Sequence, residues 1–162
     1  MGRIDKENYY LDIADTVSER STCLRRCYGA IIVQNDEIIS TGYNGAPRGR
    51  KNCADLEYCT REQLKIPSGE RYELCRSVHA EANCIISASR SETLGATLYM
   101  ACRDPKTGAL LPGSTSCSMC RRLIINAGIR RVVIRDNKTD YRVVDVQEEW
   151  IDTDDSLPDA RP

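Results

Sequence analysis

His79-Ala80-Glu81 and Cys117-Ser118-Met119-Cys120 are the two short runs whose residue types and spacing could do chemistry. Two thiols three residues apart at the start of a helix project from one face, and the helix dipole favours their ionised form. One imidazole added to that pair gives a tetrahedral zinc three protein ligands and leaves its fourth position open. Structural zinc is closed by four ligands, whereas an open position holds water, whose pKa zinc lowers to about 7. Glu81, two residues from the imidazole, is placed to take a proton from such a water and pass it on. His79 is the only histidine in the chain, so an HExxH helix or a His-rich zinc site is excluded.

Taken singly, each run has a plainer meaning. His-Ala-Glu occurs in many helices by chance, and a lone CxxC is equally a redox pair or half of a structural zinc site. Their joint presence, each opening a predicted helix, favours the catalytic zinc. A metal-activated hydroxide beside a proton-carrying carboxylate suits the replacement of an amino group on an aromatic ring by oxygen. The ring must accept hydroxide out of its plane, and ammonia must leave protonated.

Composition narrows the setting. The 162 residues suit one domain, and 23 Lys plus Arg against 24 Asp plus Glu give a net charge of −1. That balance speaks against an extended grip on nucleic acid and against a membrane surface as the main partner. No run is long and apolar enough to span a bilayer, and Met1–Glu7 is polar where a signal peptide would be apolar. The expectation is a soluble cytoplasmic protein. Nine cysteines, an odd number, then point to metal binding or catalysis ahead of a disulfide framework.

The elements that must position these residues follow from periodicity and turn chemistry. Tyr9/Tyr10, Ile13, Ala14 and Val17 predict an amphipathic helix over about Asp5 to Arg20. Tyr28–Val33, the turn Gln34-Asn35-Asp36 and Glu37–Thr41 predict a β-hairpin. Residues 42–77 are punctuated by Gly and Pro and carry Cys53, Cys59 and Cys75, with a short helix expected near Thr60–Lys65. Helices follow at His79–Ala88 and Ser118–Ala127, the second stopped by Gly128, and strands at Ala96–Ala101, Arg131–Arg135 and Tyr141–Val146. The alternation predicts an α/β fold built as a single domain over 1–150, with an inserted Cys-containing loop at about 46–77 and an acidic tail at 151–162.

Ser21-Thr22-Cys23, Gly29-Ala30-Ile31-Ile32-Val33, Thr41-Gly42-Tyr43-Asn44-Gly45-Ala46-Pro47, His79-Ala80-Glu81, Cys117-Ser118-Met119-Cys120 and Asn126-Ala127-Gly128-Ile129 together resemble the deoxycytidylate (dCMP) deaminase family of zinc-dependent cytidine and deoxycytidylate deaminases. The resemblance runs from about Tyr9 to Val146. It implies a three-layer cytidine deaminase-like fold, with a mixed central sheet of about five strands flanked by helices. It also implies a homo-oligomer (hexamer or dimer) and hydrolysis of dCMP to dUMP and ammonia. Effectors follow by the same resemblance, dCTP activating and dTTP inhibiting, with Mg2+ accompanying the triphosphate. His79, Cys117 and Cys120 match the zinc ligands, Glu81 the proton shuttle, and Asn44 the residue that hydrogen-bonds the nucleotide sugar. Ala80 falls among the substrate-binding positions.

Three departures from the family pattern stand out. Ser116 replaces the Pro usual before the first cysteine, and Ser is expected to N-cap the helix. The stretch between Ala101 and Cys117 is longer than usual. Asn52 precedes Cys53 where many relatives carry His. Family members often hold a second, structural zinc that includes the residue matching Cys23, and Cys23, Cys53, Cys59 and Cys75 would supply a closed four-thiolate set. Unligated thiols are an equal alternative, and Cys27 and Cys84 read as small buried hydrophobes.

A nucleotide monophosphate calls for Arg or a helix N-terminus. Arg25 and Arg26 are the first candidates, with a hydroxyl from Ser21 or Thr22; Arg103, Arg121 and Arg122 come next, and Arg130 and Arg131 read as solvated charges. Two further functions stay open: a deaminase of another small aminopyrimidine, such as cytidine or a modified cytosine nucleotide, and a catalytically silent nucleotide-binding regulator.

Overall fold

In the computed structural model, which describes residues 2–153, the chain runs α1 (Lys6–Ser18), β1 (Cys27–Gln34), β2 (Glu37–Tyr43), α2 (Cys53–Leu56), α3 (Thr60–Gln63), α4 (Ala80–Ile86), α5 (Arg90–Thr93), β3 (Thr97–Arg103), α6 (Ser118–Ala127), β4 (Arg131–Arg135) and β5 (Tyr141–Asp145). A 3-10 turn at Tyr72–Leu74 precedes α4, and a π-helical turn at Gln147–Ile151 follows β5. Most of the acidic tail read at 151–162, from residue 154 onward, lies outside the described residues.

The strands form one mixed sheet in the order β2-β1-β3-β4-β5, with only the β3–β4 pair parallel. The β1–β2 hairpin turns on Asn35 and Asp36, both at positive φ (51° and 63°), which is what a two-residue hairpin turn needs and these residue types tolerate. The crossover from β3 to β4 runs through α6, as a parallel pair demands.

Both faces of the sheet are covered, which makes three layers. Ile32, Leu98, Met100, Val132 and Ile134 pack on Cys84 of α4 and Ile124 of α6. On the other face, Ile31, Tyr99 and Val133 pack on Tyr10, Leu11 and Ala14 of α1. Burial on both sides explains why β1 reads as an unbroken apolar run.

The expected elements are present, with corrections at their edges. The buried stripe of α1 is Asn8, Tyr10, Leu11, Ala14 and Ser18, so Tyr9, assigned above to the apolar face, points outward. The helix expected at Thr60–Lys65 ends at Gln63, and α2, α5 and the π-helical turn were not foreseen. Gly128 caps α6 with φ 77°, in the left-handed conformation a C-terminal glycine supplies. Arg135, at the end of an apolar strand, is fully buried, where Asp12 (2.7 Å) and the Asn8 side chain (3.2 Å) receive its guanidinium.

Candidate active site

α4 and α6 pack on the same face of the sheet and bring their N-termini side by side. His79 is the N-cap of α4 and Cys117 the N-cap of α6, both in extended backbone conformation, so their side chains leave the helices at the ends where unpaired N–H groups collect. Cys120 follows one turn into α6, and its N–H donates to the Cys117 sulfur. The cap of α6 is therefore Cys117. Ser116, expected to fill that position, is buried one residue earlier, with its hydroxyl on the Met100 sulfur (3.6 Å) and beside the Glu81 carboxyl.

His79 Nδ1 lies 3.5 Å from Cys117 Sγ and 3.4 Å from Cys120 Sγ. Ligands about 2.1 and 2.3 Å from a shared tetrahedral centre are about 3.6 Å apart, so one nitrogen and two sulfurs at this spacing fit zinc. Among the described residues this is the one group of His, Cys and acidic side chains whose ligand atoms converge in this way. The mutual hydrogen bond between the two thiols splits them: with His79 assisting, it brings Cys117 down to about 4 and pushes Cys120 up. Burial draws the His79 pKa down, but the Cys117 and Cys75 thiols outweigh it and raise it to about 10. Glu81, in the first turn of α4, is buried, and desolvation lifts its carboxyl above the ordinary value.

His79, Glu81 and Cys117 open into a cavity of about 370 Å³, with Cys120 buried behind them. Its other walls are the 23–28 segment, the Cys-containing loop and residues 111–115. Four arginines (Arg25, Arg26, Arg61 and Arg76) line it against one carboxylate, Glu81. The strap at 113–115 is tied to the sheet: Asp136 accepts from Gly113 N (2.8 Å) and Arg142 donates to the Ser114 carbonyl.

The remaining sequence-predicted residues divide into those that face the cavity and those behind it. Asn44 lines it and is locked in one amide orientation: Oδ1 accepts from Tyr28 N (2.9 Å) and Ser21 Oγ, and Nδ2 donates to the Arg26 carbonyl (2.8 Å). One Nδ2 proton is left over for a ligand. Ser21, Thr22 and Ala80 do not reach the lining: the Ser21 hydroxyl is on Asn44, that of Thr22 is on Asn52 (3.0 Å), and Ala80 is buried at the start of α4. Arg25 lines the cavity but is paired with Glu62 (3.1 Å), while Arg26 is exposed and bears on the Cys102 thiol. Arg103 is held by Asp15, Arg121 lies over the Trp150 ring at 4.9 Å, and Arg131, read as a free charge, pairs with Glu7 (3.3 Å).

Cys23, Cys53, Cys59 and Cys75 all face the cavity, and the thiols of Cys23, Cys75 and Cys59 each press on the pKa of Cys53, which burial raises. They are neighbours, without the convergence seen at His79, Cys117 and Cys120. Cys84 is buried as expected, its thiol on the Ala30 carbonyl (3.1 Å), but Cys27 is only partly so.

The profile of the cytidine and deoxycytidylate deaminase zinc-binding region matches residues 4–136. The chain belongs to this family. Among curated members, a deoxycytidylate deaminase of Mycobacterium phage D29 is 37% identical over 138 residues, spanning 82% of this chain and 96% of that one. A deoxycytidylate deaminase of Schizosaccharomyces pombe is 31% identical over 127 residues, 78% of this deaminase-family chain but only 36% of the yeast protein. The deaminase fold recurs in a dCMP deaminase from the cyanophage S-TIM5, with a TM-score of 0.57 at 22% identity over 94% of this chain and 91% of that one. It recurs too in a cytidine deaminase from Burkholderia pseudomallei, with a TM-score of 0.58 at 20% identity, covering 98% and 100%. No described helix is long and apolar enough to cross a membrane.

Arg61, Tyr72 and Arg76 are cavity residues that sequence reasoning missed, and Arg61 is the buried one. Nothing in Thr60-Arg61-Glu62 marks it, because its burial is created by the loop folding back over it.

Proposed function

We propose that this protein hydrolyses dCMP to dUMP and ammonia, supplying pyrimidine deoxynucleotides. The observation that carries the reading is the pairing of an open-sided His79/Cys117/Cys120 site and buried Glu81 with a cavity lined by four arginines. The first half supports hydrolytic removal of an amino group; the second supports an anionic, phosphorylated substrate over a free nucleoside. The relatives named deoxycytidylate deaminase support the same choice.

His79, Cys117 and Cys120 would hold Zn2+, and the bound ion would supply a water ionised near neutral pH. Glu81 would take a proton from the attacking water and give it to a ring nitrogen, and would then carry the second proton, released by the added hydroxyl as the carbonyl forms, to the departing amine, which leaves as ammonia. Its buried setting suits the work, since desolvation raises the carboxyl's proton affinity above that of a solvated one. Asn44 offers its remaining amide proton to the sugar. Ser21 and Thr22 act by holding Asn44 and Asn52, and Ala80 fixes the start of α4 between ligand and shuttle. Arg25 and Arg26 stand on the wall of the same cavity as candidates for the phosphate, Arg25 already paired with Glu62.

A second Zn2+ on Cys23, Cys53, Cys59 and Cys75 is proposed with it, supported by the gathering of the four thiols round one stretch of cavity wall. Homo-oligomerisation, dCTP and dTTP as effectors with Mg2+, and a cytoplasmic setting complete the reading. Ammonia release with dCMP, CMP, deoxycytidine and cytidine, alongside zinc per chain, tests all of its chemistry. Turnover of dCMP well above deoxycytidine supports the reading; preference for the free nucleoside overturns the substrate, and one zinc per chain removes the second metal.

A further inference from the structure

Of the four arginines around the cavity, three have ordinary surroundings. Arg25 is neutralised by Glu62, Arg26 is exposed, and Arg76 spends its Nε on the Lys51 carbonyl at the surface. Arg61 differs: it is 5% exposed and takes part in no ion pair among the described residues. One terminal nitrogen donates to two carbonyls, Pro67 (2.9 Å) and Glu70 (2.7 Å), and Nε is buried with no partner at all. A buried guanidinium with an unused donor and no carboxylate at ion-pair distance (Glu73 acts on it only from farther off) is a costly thing to keep unless an anion arrives to complete it.

The same loop fixes where the guanidinium stands relative to the chemistry. Its Cζ lies 4.3 Å from the centre of the Tyr72 ring, and that ring meets the His79 imidazole edge-on, with centroids 5.1 Å apart. Cation, tyrosine and metal-ligand histidine are thus held in one contiguous stack on a cavity wall. A rigid cation at a set distance from the reacting centre is how a site measures a molecule with an anion at one end and a reactive ring at the other.

We propose that Arg61 is the specificity-determining residue for the substrate's phosphate, its unpartnered Nε–H donating to an anionic oxygen while Arg25 remains on Glu62. The carbonyls of Pro67 and Glu70 and the Tyr72 face hold the fork in place before the ligand arrives, so little side-chain freedom is lost on binding. This rests on the reading of the cavity as a nucleotide site.

The test compares dCMP with deoxycytidine, which differ only in the phosphate, on the zinc-loaded wild type, Arg61→Gln and Arg25→Gln. Arg61→Gln should raise KM for dCMP roughly 10- to 100-fold, the loss of one or two charge-assisted hydrogen bonds, while leaving deoxycytidine turnover and zinc content unchanged. Arg25→Gln should change the dCMP to deoxycytidine ratio far less. If Arg61→Gln lowers both substrates equally, or loses zinc, Arg61 serves the loop or its thiols and the proposal is wrong; if Arg25→Gln carries the discrimination, the assignment passes to Arg25. A wild type that does not prefer dCMP refutes the underlying reading instead. Should Arg61→Gln not fold, the wild type still decides: the Arg61 Nε–H resonance should move on titration with dUMP and stay put with deoxyuridine, and no movement with dUMP overturns the proposal.

Discussion

The two sides of the cavity are built on different physics. The side carrying His79, Glu81, Cys117 and Cys120 consists of two helix N-termini seated on a sheet whose strands are buried on both faces. The facing side, across 46–77, is assembled from two four-residue helices, a 3-10 turn and side chains that bond to nearby carbonyls, with Cys53 and Arg61 among its few buried residues. The first depends on hydrophobic packing and is insensitive to what lies in the cavity; the second has little core of its own and depends on polar links and thiols. Reaction chemistry sits on the part that cannot move, and recognition on the part that is easiest to remodel.

The largest effect that sharpens this contrast is chemical. Glu81→Gln should lower turnover by roughly 10²- to 10⁴-fold while zinc content and fold survive, as measured by ammonia release beside metal analysis. The pH profile follows the same group. Glu81 accepts a proton only when ionised, so activity should fall as pH drops through its pKa, and burial places that limb above the ordinary 4.5. An acid limb at or below that value would show that another group controls it.

Packing comes next. Ile124→Ala, which empties a fully buried position beneath α6, should cost about 2–5 kcal/mol in denaturant unfolding, whereas Leu64→Ala, at an exposed site of the loop, should stay within about 0.5 kcal/mol. Comparable losses at the two would erase the difference between the two sides. Metal removal should separate them more gently. Stripping zinc with a chelator should speed amide hydrogen exchange across 53–77 while the amides of β1 and β3 keep their protection; uniform acceleration would mean that the loop does not lean on its thiols. The smallest effect belongs to the strap at 113–115. Asp136 is held below the usual carboxylate range by Arg142, and both are near the surface, so Arg142→Ala should cost at most about 1 kcal/mol and change KM more than kcat.

What the sequence disclosed follows the same division. Both ligand-bearing helix starts, the hairpin with its Asn-Asp turn and the Gly128 cap were legible, because each is set by neighbours within a few residues. What stayed hidden depends on distant partners. The burial of Arg135 depends on Asn8 and Asp12 from the far end of the chain, and that of Arg61 on Pro67 and Glu70 folding over it, so no local signal marks either. Ser116 reads as a cap, yet the geometry gives that position to Cys117 and turns the hydroxyl inward.

Gly42 sits in β2 where α4 crosses so closely that a Cβ there would strike the Ala80 carbonyl and the Cys84 N–H, both of them main-chain atoms of the helix that holds Glu81. Every single-nucleotide change that recodes a glycine adds that Cβ. An error at this codon would push directly on the helix between metal ligand and shuttle, so it should register first as a lost reaction in a protein that still folds. The missing side chain at this one position is thus part of how the reaction is set up, though it touches neither metal ligand nor substrate.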